Sequence, residues 1–232
     1  IVTKKVNVRI GNAEKKNIEK VNNKGCNNII NLISIDSSNK LFLILTFENG
    51  GIDLGKCIPD MPHNEIFKQM TNAVNFCHKN GLIHADLKLD NFVHKNGIIK
   101  LIDFGNSIPT DVNVNGYYEF ISVQNRPPEL LCRIDKLGTY SDVWSLGCIF
   151  ANIINGFDIF VPNDEMTPSQ ILNKISYYIG QPESSMYNSV LEYMNKQKDG
   201  KIGLCDDISE GIFQWEPKKR ITAEKLLELL NL

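Results

Sequence analysis

Residues 84–105 read HADLKLDNFVHKNGIIKLIDFG, and the way this stretch folds decides the rest of the chain. Asn96-Gly97 lies between two apolar runs, a strong hairpin signal, because a tight primed turn needs positive φ at both central residues. Folding back there pairs Lys95 with Ile98 and sets Asn91 opposite Ile102, one step from Asp103. A carboxamide and a carboxylate therefore meet although they are far apart in sequence. Two oxygen ligands with room for waters suit Mg²⁺, which keeps several waters and completes its shell with phosphates. Asp86 and Lys88 lie just upstream, so the same place offers a base, a cation for phosphate charge and a metal site.

Outward from the hairpin, the composition changes near residue 50. Before it, TKKVNVRI and NKLFLILTF have the alternating or continuous apolar character of strands, and NAEKKNIEKV between them reads as a helix. After it, helical periodicity takes over. Ile66, Phe67, Met70, Ala73, Val74 and Cys77 share one helix face that ends before the Asn80-Gly81 breaker. VWSLGCIFANII, residues 143–154, is apolar nearly all round and reads as a buried central helix. Thr222 reads as the N-cap of an amphipathic closing helix through Leu226, Leu227 and Leu230. The expectation is an α+β chain with a small strand-rich lobe (1–49), a larger helical lobe (50–232) and ENGG (48–51) as the joint.

The 232 residues, 42% hydrophobic and 22% charged, are enough to bury a core. A net charge of -2 supplies no global basic field for nucleic acid or an anionic membrane, so any partner is recognised locally. The six cysteines are scattered without a C-x-x-C pair, which points to free thiols and an intracellular protein. The apolar runs are too short to span a bilayer.

HADLKLDN followed by DFG resembles the catalytic loop and metal-binding motif of eukaryotic-type protein kinases, with Ala85 where that family usually has arginine. The resemblance continues through RPPELL, SDVWSLGC and WEPKKRIT, in family order and spacing. It implies a bilobal protein-kinase fold, ATP and Mg²⁺ as cofactors, and transfer of the γ-phosphoryl group to serine or threonine hydroxyls of protein substrates, with an activating partner left open. Carried over residue by residue, it implies that Asp86 orients the substrate hydroxyl and accepts its proton, and that Lys88 contacts the moving phosphoryl group. Ser122 falls where a hydroxyl faces the catalytic Asp, and Asn91 and Asp103 would hold Mg²⁺. Glu129 and Arg220 would form a buried ion pair, and Asp142 would brace the catalytic-loop backbone. Arg126 matches the proline-directed branch. His84 reads as a core histidine packed below Asp103, while His63, His78 and His94 have no metal-like spacing.

At the amino-terminal end IVTK resembles the V-A-I-K strand, making Lys4 the ATP lysine with Lys5 a rival, and Glu14 its helix partner with Glu19 second. No glycine-rich loop precedes them: either it lies upstream of the sequence or the protein lacks it. LTFENGGIDL resembles the hinge, with Phe47 at the back of the adenine pocket, Glu48 and Asn49 in the hinge itself and Asp53 near the ribose. Its wording is similar to haspin-type hinges, whereas the later motifs are closer to cyclin-dependent and related kinases. Two readings compete with an active kinase: a folded scaffold of the same family that transfers nothing, and a small-molecule phosphotransferase, which leaves RPPELL and Arg220 without a role.

Overall fold

The computed structural model describes the chain except residues 23, 113–120, 164, 195–197 and 232. Strand β1 (Val2–Asn7) runs directly into helix α1 (Val8–Val21). The strand expected through Ile10 therefore stops three residues early. The Asn7 carboxamide accepts the Arg9 amide at 3.0 Å, and this N-cap turns Val8–Ile10 into the first helical turn. Strands β2 (Leu32–Asp36) and β3 (Phe42–Phe47) complete an antiparallel sheet in the order β1-β3-β2, which pairs Lys4 with Leu45. Alternation then sends Leu43 and Leu45 inward with Ile18 and Val21 and leaves Phe42 and Ile44 outside.

The larger part opens with β4 (Ile52–Asp53) and α2 (His63–Lys79), whose buried face carries the six apolar residues expected from the periodicity. Gly81 at φ +70° turns the chain out of that helix into β5 (Leu82–Ile83). The hairpin of β6 (Phe92–Lys95) and β7 (Ile98–Leu101) has the expected register, Lys95 against Ile98. Its turn residues have positive φ at both positions, +52° at Asn96 and +79° at Gly97. β4 adds to the β6 edge, and β8 (Ile108–Pro109) pairs with β5. The short α3 (Pro128–Leu131) leads to α4 (Thr139–Asn155), one turn longer at its start than the apolar run. There Ser141 Oγ accepts the Gly138 amide at 3.2 Å. Helices α5 (Pro168–Ile179), α6 (Asp206–Ile212) and α7 (Ala223–Leu230) close the chain, the last capped by Thr222 Oγ1 on the Lys225 amide at 3.1 Å.

The result is an α+β fold of two parts, a small sheet with one helix and a larger helical body. One apolar cluster runs from Ile18 and Leu45 through Phe92 and Trp144 to Leu230. Full burial of each such side chain contributes roughly 1.5–3 kcal/mol relative to exposure. A backbone link also crosses between the parts: Leu101 N donates to Asn28 O at 2.8 Å and Ile30 N to Leu101 O at 3.1 Å. Around it the Asn28, Gln69 and Asn72 carboxamides bond one another, and Asn28 Nδ2 reaches Ile99 O at 2.8 Å. Among the described residues no helix is long and apolar enough to cross a membrane.

Candidate active site

The site grows from a turn that the backbone would not adopt unaided. Ala85 has φ +65°, a left-handed conformation that costs a non-glycine residue energy and persists only where neighbours impose it. Asp142, 1% exposed near the start of α4, imposes it here: Oδ2 accepts the His84 amide at 2.8 Å and Oδ1 the Ala85 amide at 3.0 Å. His84 is fully buried, with Nε2 3.0 Å from Ile102 O and its ring edge-on to Phe104 at 5.3 Å. Asp86 therefore leaves the turn in a fixed direction. Its carbonyl accepts Asn91 Nδ2 at 2.7 Å, its Oδ2 the Lys88 ammonium at 3.1 Å, and its Oδ1 the Ser122 hydroxyl at 3.4 Å.

The hairpin brings the next residues in. Ile102 N donates to Asn91 O at 2.9 Å, continuing the ladder past Leu101, so Asn91 and Asp103 are neighbours across it. Asp103, at φ +61°, is tied to the small lobe, with Oδ1 2.9 Å from Lys4 Nζ, which in turn sits 3.0 Å from Glu14 Oε1. The sheet register points Lys4 at α1, whereas Lys5 faces the other way and lies over the Phe42 ring at 4.5 Å. Glu14 is buried and Glu19 exposed, so the pair that forms is Lys4 with Glu14.

Charges in this triad act on one another. Burial alone would lower the Lys4 pKa, but hydrogen bonding and charge from Asp103 and Glu14 outweigh it and hold the ammonium above its ordinary range. Burial pushes the Glu14 carboxyl up, only partly countered by Lys4. For Asp103 burial is outweighed by the Lys4 ammonium, and its carboxyl lies below the ordinary range. The donor set is oxygen: with Nδ2 committed to Asp86 O, Asn91 turns Oδ1 away from that carbonyl, and Asp103 keeps a carboxylate with 43% of its side-chain surface exposed. That set fits a hard divalent cation which retains waters. Among the described residues there is no group of three or more His, Cys, Asp or Glu of the kind that cages a metal alone.

The hinge residues are placed differently from one another. Phe47 ends β3 half-buried against the core. Glu48 commits its carboxylate to the Asn31 amide at 2.8 Å and the Lys100 ammonium at 2.7 Å, so its side chain straps the hinge to β7. Asn49 Oδ1 accepts the Gly51 amide at 3.0 Å, and a β-carbon at Gly51 would collide with the His94 carbonyl. Asp53 spends its carboxylate on Lys56, accepting the amide at 3.0 Å and the ammonium at 2.6 Å.

Several contributors went unrecognised in the sequence. Asn17, on the buried face of α1, donates from Nδ2 to Phe104 O at 3.0 Å and Ser107 O at 2.7 Å, which anchors the segment after Asp103. Its signal was a carboxamide inside an apolar stripe. Asn106 Nδ2 lies 3.4 Å from Asp86 Oδ2, and Asn125 Nδ2 donates to Leu87 O at 2.9 Å. His78, given no chemistry by its spacing, sits 2.9 Å from Asp142. His63 stacks on Phe67 and His94 accepts the Gly97 amide, both outside this constellation. Further out, Arg126 Nε and Nη2 donate to Ile121 O at 3.1 and 2.7 Å. Arg220 meets Glu129 through two bonds of 2.8 and 2.6 Å, with both side chains wholly buried.

Asp86, the Lys4–Glu14 pair and the oxygen donors of Asn91 and Asp103 gather where the small sheet meets the larger helical body. The family model described as Protein kinase domain matches residues 2–230, and the chain belongs to that family. Similar curated proteins include mitogen-activated protein kinase HOG1A of Wallemia ichthyophaga, 28% identical over 222 residues, covering 86% of this chain and 60% of that protein. Cyclin-dependent kinase C-1 of Oryza sativa subsp. japonica is 34% identical over 179 residues, covering 69% of this chain and 34% of the relative. The chain thus spans less than two thirds of the length of either.

Proposed function

We propose that the protein is an ATP- and Mg²⁺-dependent kinase that phosphorylates serine or threonine residues of proteins, working inside the cell. The observation that carries this reading is Asp86, which faces a hydroxyl at Ser122 and an ammonium at Lys88 while its own carbonyl holds Asn91. In this role Asp86 orients the acceptor hydroxyl and takes its proton, and Lys88 offsets charge on the phosphoryl group. Lys4, steadied by Glu14, binds nucleotide phosphate. Asn91 and Asp103 would hold Mg²⁺, which supplies charge neutralisation to the phosphates. The backbone of Glu48 and Asn49 would hold the adenine, with Phe47 at the back of its pocket. Asp53, whose carboxylate accepts the Lys56 amide and ammonium, would face the ribose with its remaining lone pairs. Because a loose phosphoryl transition state asks little covalent help from the protein, positioning and charge do most of the work. Residues 1–49 and 50–232 serve as the two lobes of one kinase domain.

Arg126 refines the acceptor preference. By donating twice to Ile121 O, it occupies the carbonyl just before Ser122. A substrate residue beside the acceptor then has no partner for a backbone N–H there, which favours proline, a residue without one.

The test is transfer from labelled ATP with Mg²⁺ to a peptide array, comparing the protein with Asp86→Asn. Loss of the proton acceptor is expected to cost about 10²–10⁴-fold in rate. Equal signals from the two proteins would instead favour a scaffold that transfers nothing, and an array dominated by tyrosine would overturn the serine/threonine assignment.

A further inference from the structure

We propose that the outward face of α1 is a docking surface for an acidic, carboxylate-rich segment of a protein partner. Residues 1–24 carry seven lysines and arginines against two glutamates, whereas the whole chain has a net charge of -2, so residues 25–232 carry a net -7. Much of that surplus sits on one helix. Gly11, Glu14, Asn17, Ile18 and Val21 form the buried face of α1. At about 100° per residue, Arg9, Lys16 and Lys20 project from the opposite side within a sector of about 40°. Arg9 and Lys16 are exposed, Lys20 is half-buried, and the exposed Asn12 and Ala13 lie between them along the axis.

These cations have no carboxylate within ion-pair distance among the described residues, although lysines of the large lobe find one. There Lys56 meets Asp53 at 2.6 Å, Lys79 meets Glu224 at 2.7 Å, Lys219 meets Glu216 at 2.7 Å and Lys225 meets Glu228 at 2.9 Å. On α1, Lys16 and Lys20 stand four residues apart, a like-charge spacing that destabilises a helix. Arg9 lies in a first turn that holds no acidic residue to offset the positive end of the helix. An acidic segment laid along the stripe relieves both. The span from Arg9 to Lys20 is about 17 Å, the length of about five extended residues. The net -7 on the rest of the chain opposes a long polyanion such as nucleic acid or an anionic membrane, whereas a short peptide meets the stripe alone. The same helix holds Lys4 through Glu14 and the Phe104 and Ser107 carbonyls through Asn17, so the partner is seated on an element that borders the candidate active site.

The experiment measures binding of fluorescein-labelled hexaglutamate to the full chain by anisotropy, with uridylate RNA and phosphatidylserine vesicles as comparison probes. Lys16→Glu with Lys20→Glu is set against Lys198→Glu with Lys201→Glu, which changes the net charge equally on the large lobe. We expect the first pair to weaken peptide binding at least about 10-fold and the second by less than about 2-fold. Arg9→Gln with Lys16→Gln, which removes repulsion from α1 and keeps it folded by far-ultraviolet circular dichroism, should weaken binding about 3-fold. No saturable peptide binding, equal weakening by the two charge-reversal pairs, or tighter binding of RNA or vesicles than of the peptide at this stripe overturns the assignment.

Discussion

Replacing Arg220 with alanine tests the deepest electrostatic feature of the large lobe. Arg220 and Glu129 have no exposed side-chain surface, and their guanidinium and carboxylate meet in two bonds of 2.8 and 2.6 Å. Removing one partner of such a pair strands a charge without water, at a cost of about 3–5 kcal/mol. Arg220 also donates from Nε to Gln214 O at 2.9 Å and lies over the Trp144 ring at 4.8 Å, so truncation removes packing as well. The upper half of that range is therefore expected. Against a domain stability of about 5–15 kcal/mol, this is a large fraction of the total. At roughly 2–4 °C per kcal/mol for a chain of this size, Tm should fall by about 8–20 °C. Urea unfolding followed by tryptophan fluorescence measures the same loss as a fall in midpoint. The double variant Glu129→Leu, Arg220→Met removes both charges and should recover most of the deficit. A loss below about 1 kcal/mol in Arg220→Ala, or a double variant no better than the single, would refute the reasoning.

Three further outcomes are expected. Burial, reinforced by the Glu129 carboxylate, pushes the Cys132 thiol up to about 11 from 9.0. Because the folded value is the higher one, its contribution to stability is complete below pH 9 and disappears as the pH rises through about 11; Cys132→Ala should flatten that part of the unfolding profile, measured by urea titration at stepped pH. Asn17→Ala frees the buried carbonyls of Phe104 and Ser107 and should cost about 1–3 kcal/mol in urea, a value near zero arguing that water replaces the carboxamide. Alanine at position 85 cannot neutralise a phosphate on the segment from Asp103 to Glu129, part of which, 113–120, lies outside the described residues. Phosphatase treatment of active protein should therefore leave transfer unchanged, and abolished activity would contradict this.

What the sequence disclosed follows from the range of the interactions involved. The β6-β7 hairpin was legible in full, register included, because Asn96-Gly97 encodes its own turn. The α2 face was legible because its apolar spacing is local. The α1 boundary was misread because Val6, Val8 and Ile10 alternate as a strand would, while the capping carboxamide of Asn7 was overlooked. Helix α5 also carried a local signal, Thr167 with Gln170 three residues on, whose side chains and amides cap one another. The Glu48–Lys100 strap and the His78–Asp142 contact have no such signature, since each joins elements brought together only by the folded core.

The stitching of Asn28–Ile30 onto β7 bears on how the chain could be divided. The first lobe extends the hairpin sheet of the second through main-chain bonds and shares its apolar core, so contacts besides the peptide at Asn49-Gly50 hold the halves together. Fragments severed there and produced together should find each other without a fusion partner, which makes the joint a natural cut point for a complementation sensor.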